Sequence, residues 1–295
     1  MLLRIASFEV QRRLRMISTY VYFTIYFVLG GFWMVLAAGG IPGASVDFGA
    51  GGKVFANAPY SLLVLVMLIG FFGTVITAAI AGRATFQDID HRTTSLFFTA
   101  PITKLDYLGG RYLGALASTL LLVPGIALGA WVAAHFPFLD ATRIGPAIPF
   151  AYLSPYATVL LPNLVLTSAL FFALATLGRR MLPVYVGAVV LVLGYLIAGN
   201  ITGNLENHTL AGMLDPFGLN AVDRVAEYWT IAEKNTRLVP LAGLLLWNRL
   251  LWTGVGLALL AFTYARFSFS ASARLARLSS RSANCPAVGS GGATV

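Results

Sequence analysis

The sequence predicts an all-α integral membrane protein with six transmembrane helices. Three observations carry this. Hydrophobic residues make up 58% of the 295 residues, charged ones only 11%, and the mean hydropathy is +0.80. A soluble domain is about 45–50% apolar and about 25% charged. Six apolar runs, 18–38, 60–81, 112–135, 150–177, 182–201 and 241–264, are each long enough to cross a hydrocarbon layer of about 30 Å at about 1.5 Å per residue. The charges between those runs alternate in sign.

An even number of spans puts both termini on one side. That side carries Arg4, Arg12, Arg13, Arg15, Arg83, Arg92, Lys104, Arg111, Arg179, Arg180, Arg266, Arg274, Arg277 and Arg281, which is 14 of the 20 basic residues. It also holds four of the 11 carboxylates, so it nets 14 − 4 = +10. The other side nets 5 − 7 = −2, and Arg249, inside the last run, completes the total of +9. Excess Lys and Arg marks the cytosolic face, so both termini are expected in the cytosol of a bacterial-type inner membrane. The basic balance is thereby a topology signal, and no nucleic-acid partner is expected. The single Cys285 excludes an intrachain disulfide. His91, His135 and His208 have no metal-ligand spacing, and no metal or cofactor site is expected.

The segment 1–17 reads as an amphipathic helix lying in the membrane interface. Leu3, Ala6, Val10, Leu14 and Ile17 recur at helical steps, with Arg4, Arg12 and Arg15 off that stripe. Arg12, Arg13 and Arg15 suit anionic headgroups, or contact with a cytosolic partner. A cleaved signal peptide is disfavoured, because the first apolar run is about 20 residues where such a core has about 7–15. The GAGGK ending at Lys53 is not a phosphate loop, since Asp47 stands where its first Gly belongs and Val54 follows the Lys.

Pro124-Gly125 and Pro162-Asn163 interrupt the third and fourth runs and read as kinks. Asn163 and Asn200 are the polar groups placed to line a path or to link helices. Residues 202–240 form a long outer segment in which Leu219, Val222, Val225, Ala226 and Trp229 step helically, introduced by the turn Asp215-Pro216-Phe217-Gly218. It reads as one or two short helices capping the outer mouth. Arg249, between Trp247 and Trp252, is expected to snorkel outward or to pair with an outer carboxylate. Residues 271–295 are rich in Ser, Ala and Gly and are expected to be disordered.

The stretch 82–111, GRATFQDIDHRTTSLFFTAPITKLDYLGGR, is the most informative. A polar run with Asp88, Asp90, His91 and Arg92 precedes Thr93, Thr94 and an apolar knob of Leu96, Phe97 and Phe98. Thr99-Ala100-Pro101 stops that element, because Pro lacks an amide donor and turns its predecessor away from helix. Ile102, Thr103, Lys104 and Asp106 lead into the next run, with Thr103 or Asp106 available as a cap. The shape is that of a docking element.

This stretch resembles the cytosolic loop of the type-2 ABC exporter permeases, at Asp88, Asp90, His91, Thr93, Leu96, Phe97, Thr99, Pro101, Ile102, Lys104, Tyr107 and Leu108. The six-run layout, the N-terminal amphipathic helix and the long outer segment are similar too, so the resemblance covers nearly 1–270, read as one permease domain. LDPFG, EYWT and AEKNT look like stretches of permeases fused to a zinc aminopeptidase, whose HExxH pattern does not occur in these 295 residues. The resemblance implies a half-transporter: a second permease half, the lipid bilayer and a cytosolic ABC ATPase as partners, with residues 88–104 as the contact that transmits ATP-driven motion. No Walker lysine is present, so nucleotide chemistry is expected on another chain. The competing readings are an ion-coupled secondary transporter, which needs ionisable groups near the bilayer midplane, and a membrane anchor for a peptidase.

Overall fold

The computed structural model describes residues 1–44, 46, 48, 53–90, 102–202 and 208–267, with backbone only at 89, 199–202 and 208. Among these the fold is all-helical, as the apolar periodicity requires. The helices are α1 (Leu2–Leu14), α2 (Ile17–Ala37), α3 (Pro59–Phe72), α4 (Thr74–Asp90), α5 (Lys104–Leu122), α6 (Pro124–Ala133), α7 (Pro149–Pro155), α8 (Leu161–Gly178), α9 (Leu182–Thr202), α10 (His208–Leu214), α11 (Leu219–Ala226), α12 (Ile231–Thr236) and α13 (Gly243–Arg266).

Four helical stretches are long and apolar enough to cross a membrane: α2, α5 with α6, α7 with α8, and α13. The bent pair α3 and α4 brings the number to five. In α9 the apolar stretch described is Leu182–Ala198, shorter than the others. The molecule is thus a multi-pass helical membrane protein by length and composition, with four or five candidate spans where the sequence pattern predicts six.

The second run is not a straight span. α3 and α4 meet at Gly73 with a bend of 49°. Tyr26 of α2 reaches into the bend, and its hydroxyl donates to the Gly73 carbonyl at 3.2 Å. Any Cβ at Gly73 would collide with the Tyr26 ring, so the small residue is what lets the bend close.

α2 and α6 pack backbone to backbone. A Cβ at Gly125 would lie 3.0 Å from the Phe23 carbonyl oxygen and one at Gly31 would lie 3.3 Å from that of Gly129. Without a hydrophobic force between helices in lipid, such small-residue faces supply the contact through van der Waals packing. The bland reading of Pro124-Gly125 as a kink therefore covers only the Pro; the Gly belongs to this interface.

α1 lies across the start of α5. Gly110 and Gly114 of α5 face Ile5 and Glu9 of α1, where added Cβ atoms would come within 2.7 and 2.6 Å. Asp106 holds this junction from both sides. It closes a capping box with Thr103 at the start of α5, and its Oδ1 accepts from the Leu2 amide at 2.9 Å.

The expected apolar stripe of α1 does not mark its buried side. Leu3, Leu14 and Ile17 are exposed, while Glu9 and Arg13 are buried. The face turned to the bundle is mixed: Leu2, Ile5 and Ala6 meet the α5 glycines beside Glu9, while Arg4 and Arg15 stay exposed with Leu3 and Leu14.

Candidate functional site

Glu9 stands three and four residues before Arg12 and Arg13, so one face of α1 carries all three. In the fold that face meets the end of α4 and the start of α5, the two stems of the 82–111 segment. Glu9 Oε1 accepts from Arg12 at 2.8 Å and from Arg13 Nε at 3.1 Å. Its Oε2 accepts from Arg111 at 2.6 Å and from the Gln87 amide at 3.2 Å. The other arm of Arg111 donates to Asp88 Oδ1 at 2.5 Å, and the Tyr107 hydroxyl donates to Asp88 Oδ2 at 2.8 Å. Arg13 also donates to the Ile80 carbonyl at 2.7 Å.

Glu9 is 0% exposed. Burial alone would raise its pKa, but Arg13, Arg111 and Arg12 outweigh that, and its carboxyl is held below the ordinary glutamate value. With Arg12, Arg13 and Arg111 against Glu9 and Asp88, the cluster nets 3 − 2 = +1. The four donors satisfy the Glu9 carboxylate, whereas the buried Nε of Arg12 has no hydrogen-bond partner among the described residues. The cluster joins three helices.

The expected coupling residues divide. Asp88 is in the joint. Asp90, at the last position of α4, is exposed and apart from it. Ile102 packs against the main core, and Lys104 lies with its Nζ 4.4 Å over the ring of Tyr264 at the end of α13. Tyr107 stacks on Phe267, which ties that same helix end to the joint. His91, Thr93, Leu96, Phe97, Thr99 and Pro101 lie outside the described residues. Arg12 and Arg13 are in the joint, whereas Arg15 is exposed. Glu9, Gln87 and Arg111 are the joint residues that pattern reading did not select, while Tyr107 stood among the positions of the loop resemblance. Glu9 had a signal, as the only carboxylate in the first 46 residues, set at helical spacing from two arginines.

A second polar node sits at the opposite end. Arg249 does not snorkel: it is 2% exposed. Its Nη1 donates to Asn163 Oδ1 at 2.6 Å and to the Phe217 carbonyl at 3.2 Å, and its Nε to Asn248 Oδ1 at 2.9 Å. Its direct partners among the described residues are thus neutral, in place of the expected carboxylate. The reason is local. The Asp215 carboxylate is engaged by the amides of Phe217, Gly218 and Asn220, at 2.7–2.9 Å, and this turn presents its carbonyls to Arg249. Asn163 also donates to the Phe217 carbonyl at 3.1 Å, so it links α8 to the outer turn. The side chain of Asn200 lies outside the described residues. Phe217 is buried in a trio with Phe71 and Tyr195, with ring centroids 4.8–5.0 Å apart. The segment expected as one or two helices holds three among the described residues, α10 to α12, of which α11 shares one apolar cluster with Leu63 and Met67 of α3 and Leu245 of α13 through Ala221 and Val222.

No model of a known protein family matches the chain, and no curated protein is found similar to it.

Proposed function

We propose that the chain is the membrane-spanning permease subunit of an ATP-driven exporter of the type-2 ABC class. In this reading six spans cross a bacterial-type inner membrane with both termini cytosolic. α1 is the elbow helix, α9 completes the set of spans, and a second permease half, identical or not, completes the pathway. ATP is hydrolysed on a separate cytosolic subunit that docks on the 82–111 loop. The chain itself is no enzyme.

One observation carries this reading. The two stems of the loop and the N-terminal helix are locked together by Glu9, Asp88 and Arg111. A loop transmits a push to the spans only if its roots do not give way. A connector with no mechanical duty has no need of a joint of five charges, four of them buried and costly to desolvate. The tie from Lys104 and Tyr107 to the end of α13 extends the same joint to the last span.

Arg249 is the observation on which an ion-coupled transporter would rest. A guanidinium does not release its proton under working conditions, and its partners are neutral acceptors that tie helices together. It supports a structural role. ATPase stimulation separates the two readings. In proteoliposomes with its docked ATPase, the chain should raise ATP turnover, and Glu9→Gln should lower that stimulation more than it lowers ATPase binding. Transport driven by an ion gradient with no ATPase present would instead favour the ion-coupled reading.

A further inference from the structure

Between α6 and α7 a groove of about 550 Å³ opens to the side of the bundle, lined among others by Ala127, Leu128, Trp131, Tyr152 and Leu153. That is the size of a small-molecule site. Its walls belong to two candidate spans, Lys104–Ala133 and Pro149–Gly178, so the medium at its mouth is the bilayer. Leu128, Trp131 and Leu153, 46–63% exposed, form that mouth.

Two features distinguish this groove from an ordinary lipid-facing dent. The helix that forms one wall widens into a π segment at Tyr156–Leu160, a rare distortion found most often at functional positions. It directs Tyr156 across the groove. There its hydroxyl donates to the Val123 carbonyl at 3.0 Å and accepts from the Ala127 amide at 3.1 Å, at the break made by Pro124. Tyr156 is thereby fully used. Tyr152, one turn earlier, is only 8% exposed and lines the same groove, yet its hydroxyl has no hydrogen-bond partner among the described residues. The hydroxyl keeps accessible surface, so an acceptor can reach it. The site therefore offers an apolar slot with the Tyr152 hydroxyl as a donor in its wall and the Trp131 indole N–H as a second donor at its mouth.

We propose that the groove holds one acyl chain of a membrane glycerolipid, whose ester carbonyl accepts a hydrogen bond from the Tyr152 hydroxyl. The apolar lining suits a hydrocarbon chain and disfavours a charged headgroup. The Tyr152 donor suits a neutral carbonyl at the head of the chain, and both supporting helices belong to candidate membrane spans. The proposal does not depend on the chain being a transporter.

The test uses the full chain in nanodiscs of phosphatidylcholine doped with a diazirine-acyl phosphatidylcholine, or with its ether-linked counterpart. Photolabelling is mapped by peptide mass spectrometry. Ester lipid should label 149–156 well above the exposed α9 face at Val189, Val190 and Leu193, which reports ordinary annular lipid. Ala127→Trp, which fills the groove, and Leu153→Trp, which blocks the exposed mouth without burden on the core, should each bring groove labelling down to the α9 level. Tyr152→Phe and the ether lipid should each lower it about fivefold, the size of one hydrogen bond. Equal labelling of groove and α9 in every form, or cross-linking to a second copy of the chain in place of lipid, would overturn the proposal. Ether lipid and Tyr152→Phe both without effect would overturn the carbonyl contact.

Discussion

Glu9 has no exposed surface, and four donors from three helices converge on its two oxygens. Glu9→Gln keeps the shape but leaves Arg12, Arg13 and Arg111 facing one another beside Asp88. Breaking a buried pair in this way is expected to cost about 3 kcal/mol, read as a lower thermal midpoint in detergent. The pH dependence has a defined sign. The carboxyl pKa is lowered in the fold from an ordinary 4.5, so its contribution is complete above that value and is lost as pH falls through the lowered one. The gap in midpoint between wild type and Glu9→Gln should be constant from about pH 5 to about pH 8 and close below about pH 4.5. Asn163 and Arg249 are coupled at 2.6 Å. A double-mutant cycle of Asn163→Ala and Arg249→Met should return an interaction of about 1–3 kcal/mol, against about zero for a snorkelling arginine. At this scale the sequence is legible only where partners are near in the chain. The i, i+3 and i+4 spacing of Glu9, Arg12 and Arg13 could be read, but Arg111 meets Asp88 from 23 positions away and Glu9 from 102.

The helices themselves are set by apolar run length, and α2, α5 with α6, α7 with α8 and α13 fall close to the runs that predict them. What run length does not encode is where a run breaks. At the Gly73 bend Tyr26 arrives from another helix, and from the π segment Tyr156 reaches the Val123 carbonyl and the Ala127 amide of α6. The docking face of α1 escaped for a related reason. Hydrophobic periodicity assumes that the apolar side is the buried side, whereas in α1 Glu9 and Arg13 are buried against partners far away in the chain. The glycines give tests at this scale. Gly129→Val should force α2 and α6 apart and lower the thermal midpoint by an amount equivalent to about 1–3 kcal/mol. Gly110→Val should release α1 from α5 and show as faster proteolysis within 1–17, with the rest of the bundle intact.

Across the whole molecule, charge asymmetry sets the proposed orientation, with +10 on the face of both termini and −2 on the other. In a Cys285→Ser background, a membrane-impermeant maleimide should label Tyr228→Cys, which is 88% exposed, in intact cells. Arg180→Cys, in the turn between α8 and α9, should be labelled only after permeabilisation. The opposite pattern would invert the topology and put the 82–111 segment out of reach of a cytosolic ATPase. The joint would then hold the fold together without coupling it to anything.

The most direct measurement places a photo-crosslinking amino acid at Phe97, in the apolar knob between the stems that Asp88 and Arg111 clamp, and identifies the adduct formed in intact cells. The expected partner is a Walker-A ATPase that co-purifies with the chain and whose cross-link is lost in Pro101→Ala. Adducts to lipid alone, or to no ATPase in a folded and correctly oriented protein, would contradict the coupling role.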